Sequence, residues 1–235
     1  MWPRPEARPE LARGEEAGVL FLLRTAYGDL AELLTVLSPA EQWCPTGCAG
    51  WTPVDLGWHL LADARRGLVA LNTPAAGPAT TDAVGYWRSW RPTAEDDDRD
   101  LWATRVSASV TGGLPAIRGP YAETTAAVLV SAGRTRSGDL VATQGHVLAV
   151  ADLLSSLTVE AAVHHLDLVA HLDRPGPGAG PLTEVRRVLE ALLGEPLPPD
   201  WDDATAARRG TGREPLTAAD RAALGEAADR LPLFG

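Results

Sequence analysis

Glu160-Ala-Ala-Val-His164 sets a carboxylate and an imidazole four residues apart. At about 100° per residue, such a pair lies roughly 40° apart on one helical face, one turn removed. Both side chains can then reach one ion without bending the backbone. Asp167 and His171 continue the stripe, while Val159, Ala161, Ala162, Val163, Leu166, Leu168 and Val169 make the rest of the segment apolar. That setting suits a buried helix, and ionisable groups on a buried face need a partner that a cation can supply.

His59 stands in a second apolar segment, Leu56-Gly-Trp-His-Leu-Leu61. Alone it reads as a core histidine. Joined to Glu160 and His164, it completes a set of two imidazoles and one carboxylate. That is the donor set of open catalytic metal sites, which keep a position for water or substrate. His59, Glu160 and His164 are therefore the expected ligands of a divalent metal. Asp55 and Asp63 flank His59 at i−4 and i+4 and could orient its ring, though Asp55 also reads as the third residue of a helix cap.

The remaining histidines are expected outside the ligand set. His165 is turned about 100° from His164 on the helix. His171 is expected to bond Asp167 or face solvent, and His146, in Gln-Gly-His, to lie at the surface. Cys44 and Cys48, in Cys-Pro-Thr-Gly-Cys, lack the second Cys/His cluster of a structural zinc site and read as free thiols, buried or near a pocket.

Helices must carry these groups. Apolar residues recur at three and four through Gly14–Leu37, with Leu20, Leu23, Tyr27, Leu30 and Leu34 on one stripe. Ser38-Pro-Ala-Glu41 and Thr52-Pro-Val-Asp55 share the grammar of a cap residue, Pro and an acid. The first predicts a short helix and the second a longer one to about Leu71. A third helical pattern starts near Thr81-Asp82, runs through Trp90, and extends past Pro92 across the acidic run Glu95–Asp98 into Leu101–Ser109. The acidic run reads as a solvated face or helix N-terminus.

Gly112-Gly113 and Pro115 read as a loop before a helix over Tyr121–Ala132. Leu140–Val150 is expected to form a short hairpin or extended loop about Gln144-Gly145, and Val150–Leu172 a long helix with a break near Ser155–Thr158. The sum is a mainly α protein. It comprises a helical bundle over residues 1–173, a Pro/Gly-rich linker at 174–181 and a small helical C-terminal unit over 182–235.

Composition excludes several classes. A net charge of −10, with no basic patch (Arg134 and Arg136 stand isolated and Arg208-Arg209 is only a pair), argues against nucleic acid or an anionic membrane as partner. The apolar stretches are too short or interrupted to span a bilayer, and the N-terminus has no signal-peptide pattern, so the cytoplasm is expected. No P-loop, dinucleotide fingerprint or Gly-x-Ser-x-Gly elbow is present. All 21 basic residues are Arg and Ile117 is the one isoleucine, as in a high-GC, actinobacterial genome.

Three segments resemble one family: Cys44-Pro-Thr-Gly-Cys-Ala-Gly-Trp-Thr-Pro-Val-Asp-Leu-Gly-Trp-His-Leu60, Glu160-Ala-Ala-Val-His-His-Leu-Asp-Leu168, and Thr211-Gly-Arg-Glu-Pro-Leu-Thr-Ala-Ala-Asp220. They are similar to the mycothiol-dependent maleylpyruvate isomerase family, within the DinB-like metal-binding four-helix-bundle superfamily. The resemblance covers the chain to about residue 173. It implies that His59, Glu160 and His164 hold a zinc-type ion, and that mycothiol serves as thiol cosubstrate, losing its proton at the metal. The thiolate would attack a small electrophilic substrate, as an isomerase or an S-transferase. The resemblance also implies an assisting arginine in the C-terminal unit, for which Arg213 is the candidate. The short C-terminal unit departs from that of the isomerase and puts maleylpyruvate itself in question. Two other readings stay open: a metal-dependent hydrolase or detoxification enzyme using water in place of thiol, and a non-catalytic metal- or ligand-binding bundle. Trp51, Trp58, Trp87 and Trp90 read either as pocket lining or as core.

Overall fold

The computed structural model describes residues 9–90 and 93–234. In chain order these form α1 (Pro9–Val36), a 3-10 turn (Glu41–Trp43), α2 (Pro53–Leu71), α3 (Ala83–Ser89), α4 (Ala94–Ser109), α5 (Leu114–Ala132), β1 (Leu140–Thr143), β2 (His146–Ala149), α6 (Val150–Val169), α7 (Ala179–Leu193), α8 (Asp203–Gly210), α9 (Ala218–Leu224) and a closing 3-10 turn (Gly225–Arg230). The protein is mainly α. Helices α1 and α2 each contact both α5 and α6, so the four long helices close into a bundle.

The apolar stripe of α1 does what its spacing requires: Leu23, Tyr27, Leu30 and Leu34 are buried, with Leu20 packed against them. Thr52 caps α2 reciprocally with Asp55, whose carboxylate accepts the Thr52 N–H at 2.9 Å. Gly57 lets α5 close on α2, because a Cβ there would stand 2.9 Å from Leu114 Cδ2.

Four local expectations change. Ser38 and Glu41 exchange bonds of 2.8 and 3.3 Å, yet only a 3-10 turn follows. Cys44 precedes Pro45 and is extended (φ −72°, ψ 165°), as steric restriction before proline favours. The acidic run begins a new helix, α4, capped by Thr93 and Asp96, so its carboxylates sit at the positive end of a helix dipole. Pro115 lies inside the first turn of α5, where the missing N–H costs nothing. Helix α6 runs unbroken through Ser155–Thr158, and there the Ser156 and Thr158 hydroxyls donate to the carbonyls of Asp152 (3.0 Å) and Leu154 (2.8 Å), so they are satisfied inside the helix.

The hairpin forms between β1 and β2 with Thr143 paired to His146. Gln144 and Gly145 take φ of 48° and 81°, the left-handed values that a two-residue turn of matching twist needs.

Residues 174–178 are tied down. Arg174 pairs with Glu41 at 3.0 Å, the Pro175 carbonyl accepts from His165 Nε2 at 3.1 Å, and the Gly178 N–H donates to Asp29 at 2.8 Å. Ala179–Pro181 already form the first turn of α7. That helix lies on α6 and α1 and carries α8, building a second apolar cluster around Val185, Leu189, Trp201 and Ala206. No helix among the described residues is long and apolar enough to cross a membrane.

Candidate metal centre

The bundle brings the three expected ligands together. His59 projects from α2, and Glu160 and His164 project from α6. Glu160 Oε1 stands 2.9 Å from His59 Nε2 and 3.3 Å from His164 Nε2. All three donor atoms lie within 4.8 Å of one another. The two rings meet edge to face, with centroids 4.9 Å apart.

The other nitrogen of His164 is held from behind. Its Nδ1 is 2.9 Å from Asp167 Oδ2, and Asp167 is 1% exposed. Asp167 is gripped in turn by Arg213, whose Nε stands 2.9 Å from Oδ1 and whose Nη2 stands 3.1 Å from Oδ2. Cys48 Sγ donates to the same carboxylate at 3.1 Å, and the backbone N–H of Gly47 donates to the Asp167 carbonyl at 2.8 Å. Thr46 locks that loop, its hydroxyl reaching the carbonyl of Trp51. A Cβ on Gly47 would fall against the Asp167 carboxylate and 3.0 Å from its Cα, so this approach requires glycine.

These contacts bear on whether the residues fit a metal. Asp167 accepts the His164 Nδ1 proton, so in the neutral ring Nε2 carries a lone pair facing the Glu160 oxygen. Lone pair against lone pair is repulsive unless a cation lies between them. A proton or a divalent metal answers that need, and two imidazole nitrogens with one carboxylate oxygen suit a zinc-type ion. The same convergence shapes the titration. Burial would raise the Glu160 pKa, but the two histidines, His164 foremost, hold it well below the usual carboxylate range. Burial would lower that of His164, but the Glu160 charge and the bond to Asp167 carry it well above that of an ordinary histidine. Asp63, one turn from His59, is pushed up to about 6 by burial and then by the Glu160 charge.

The ligands lie at the floor of a cleft of about 910 Å³. Trp51, Trp58, Trp87 and Trp90 all line it, and both readings of the tryptophans hold: Trp87 is also buried in the second apolar cluster, and Trp51 and Trp58 pack against the bundle core. Trp51 stands edge-on to His59, with centroids 5.5 Å apart. Arg213 and Phe234 reach the wall from the C-terminal unit, and Phe234 stacks on Trp87 at 4.4 Å. Asp55 serves the helix cap, one of the two roles expected of it, and also accepts from Arg105. His165 is buried, His171 is exposed, and His146 packs against Tyr86. Both cysteines are free.

Sequence reasoning placed Asp167 on the right stripe but missed its part in fixing His164. It also missed Gly47 at the site, and it read Cys48 as a free thiol, buried or near a pocket, without the bond to Asp167. Asp167 and Arg213 are 46 residues apart, and no local pattern links them.

The chain is similar to known proteins in sequence pattern and in fold. The family described as the mycothiol maleylpyruvate isomerase N-terminal domain matches residues 23–169, a span that includes all three candidate ligands and Asp167. Among solved structures, a crystal structure of the mycothiol-dependent maleylpyruvate isomerase is similar at 17% identity and a TM-score of 0.49, over 76% of this chain and 69% of that one. A histidine-to-alanine mutant of that enzyme is similar at 18% identity and a TM-score of 0.47, with the same coverage. No curated protein sequence matches the chain. With the family match spanning more than half of its residues, the chain belongs to the mycothiol maleylpyruvate isomerase N-terminal domain family.

Proposed function

We propose that this protein is a thiol-dependent isomerase or S-transferase that uses mycothiol and a divalent metal, zinc foremost, held by His59, Glu160 and His164. The observation that carries the reading is the convergence of two imidazole nitrogens and one carboxylate oxygen on a shared point at the floor of an open cleft. A bound divalent cation supplies there the positive charge that makes a thiol acidic at neutral pH.

The chain's own residues do the rest. Asp167 holds the proton on His164 Nδ1 and so keeps Nε2 turned to the ligand point. Arg213 fixes Asp167 from the far side, which makes it a positioning residue in this reading rather than a group that touches substrate. The tryptophan rings put apolar surface beside the ligand point, and lower local polarity strengthens electrostatic interactions there. The division into a bundle (1–173) and a C-terminal unit (182–235) belongs to the same proposal: the second unit closes the cleft and supplies Arg213.

Purified protein should carry about one zinc per chain at this one site, and zinc-loaded protein should turn over an unsaturated acceptor only when mycothiol is added. Turnover without thiol would replace this reading with a hydrolase. Bound metal with no turnover of either kind would leave a binding module.

A further inference from the structure

The second apolar cluster reaches the cleft at Trp87, Val163 and Phe234, and all three line its wall. Trp87 and Glu160 together line a small recess of about 20 Å³, so this wall begins close to the ligand set. Phe234 covers the Trp87 ring. The two planes are 24° apart with centroids at 4.4 Å, and Phe234 is only 6% exposed.

The backbone holds that ring in place. The Leu233 N–H donates to the Gly210 carbonyl at 2.8 Å. Pro232 lies against Gly212, where φ is +77° and a Cβ would stand 3.1 Å from the Pro232 Cβ, so the approach needs glycine. Phe234 is thus fixed by its neighbours as well as by stacking.

A flat apolar slot over an indole is where a ring carried by a ligand gains most contact. Here a side chain of the protein already fills it. The cleft, about 910 Å³, has to hold both the thiol cosubstrate and the acceptor, so volume taken beside the ligand set is lost to them.

We propose that Phe234 is a specificity-determining residue: its ring takes the place on Trp87 that a bulky substituent of the acceptor would occupy, and so favours compact electrophiles. This rests on the thiol-dependent reading above and sets a limit on its substrate class.

The test uses the full chain, zinc-loaded, with mycothiol and either pent-3-en-2-one or benzylideneacetone. The two share an enone and differ by methyl against phenyl at the β-carbon. In each the thiol sulfur bonds to the β-carbon and the thiol's proton goes to the α-carbon. The quantity read is kcat/KM for the phenyl enone over that for the methyl enone, after correction for the uncatalysed reaction. Intrinsic reactivity cancels when variant and parent are compared. The ratio should rise about tenfold in Phe234→Ala and about threefold in Phe234→Leu, which keeps apolar bulk should the alanine variant fail to fold. Leu193→Ala empties the same apolar cluster at a residue that does not line the cleft, and should leave the ratio unmoved. For binding, equilibrium dialysis of 4-phenyl-2-butanone without thiol should show about tenfold tighter binding to Phe234→Ala than to the parent.

A ratio that neither Phe234 variant moves overturns the inference, as does an equal shift in Leu193→Ala or an effect confined to the KM for mycothiol. If neither enone is turned over by parent or variants, the thiol-dependent reading fails, while the dialysis still decides whether Phe234 closes the slot.

Discussion

Asp167 Oδ2 stands 2.9 Å from His164 Nδ1, in a carboxylate that is 1% exposed and shared with Arg213 and Cys48. This contact fixes which nitrogen of His164 faces Glu160. A ring free to flip would offer the ligand point an N–H half of the time. The relationship therefore sets the expected behaviour of several variants.

Asp167→Asn should weaken zinc binding by about 10- to 100-fold, the usual cost of removing a carboxylate that orients a metal-bound histidine. Competition with a coloured chelator measures it. Equal affinity in variant and parent would mean that Asp167 serves the fold alone.

Arg213→Met should destabilise the protein by about 3 kcal/mol, because it removes the guanidinium from a buried carboxylate and leaves only His164 and Cys48 to satisfy it. Urea denaturation of the metal-free protein reads this directly. An unchanged midpoint would show that Asp167 is solvated in a way its burial does not suggest.

Gly47→Ala should cost about 1–3 kcal/mol, as overpacking a close backbone contact does. It should also lower zinc affinity, because the new Cβ falls on Asp167. A variant with normal stability and normal zinc affinity would mean that the loop can withdraw without disturbing the carboxylate.

Proton and metal should compete at the ligand point. The His164 pKa in the folded protein is raised, chiefly by Glu160 against the opposing effect of burial. Its contribution to stability is therefore fully present below the ordinary histidine value and is lost as pH rises through the folded value. Metal-free protein should lose stability with rising pH in that range. Zinc affinity should instead rise, by about tenfold per pH unit for each proton displaced. Thermal melts with and without chelator across pH 5–9 follow both trends; parallel melting curves would remove the ligand point from the account.

Asp63 titrates in the same direction. Its folded pKa of about 6, against an ordinary 3.8, means that ionisation above pH 6 costs folding free energy. In chelator-treated protein, Asp63→Asn should add up to about 3 kcal/mol of stability at pH 7–8 and nothing at pH 4. A gain of equal size at both pH values would point to repacking and not to charge.

Much of the fold was legible because its signals are local. The α1 stripe, the Thr52–Asp55 cap and the Gln144-Gly145 turn each depend on residues within a turn or two of one another. That the short helix expected after Ser38 is only a 3-10 turn could not be read locally, because Pro45 restricts Cys44 from outside the cap pattern. The continuity of α6 escaped because the bonds that satisfy its Ser and Thr hydroxyls are made inside the helix and leave no mark in the hydropathy pattern.

The sequence by itself determined that Glu160 and His164 share a helical face, since an i,i+4 spacing leaves them nowhere else to go once the segment is helical. It also determined that His59 lies on another helix with apolar neighbours. That the two helices meet with Nε2, Oε1 and Nε2 within reach of one point was decided by tertiary structure alone. So was the Asp167–Arg213 pair, and so was the cleft whose walls come from α2, α3, α4 and the C-terminal segment. Helical periodicity acts over a few residues and can be read along the chain. Distances between helices follow from how side chains on separate elements fill a common core, and that is a property of the folded whole.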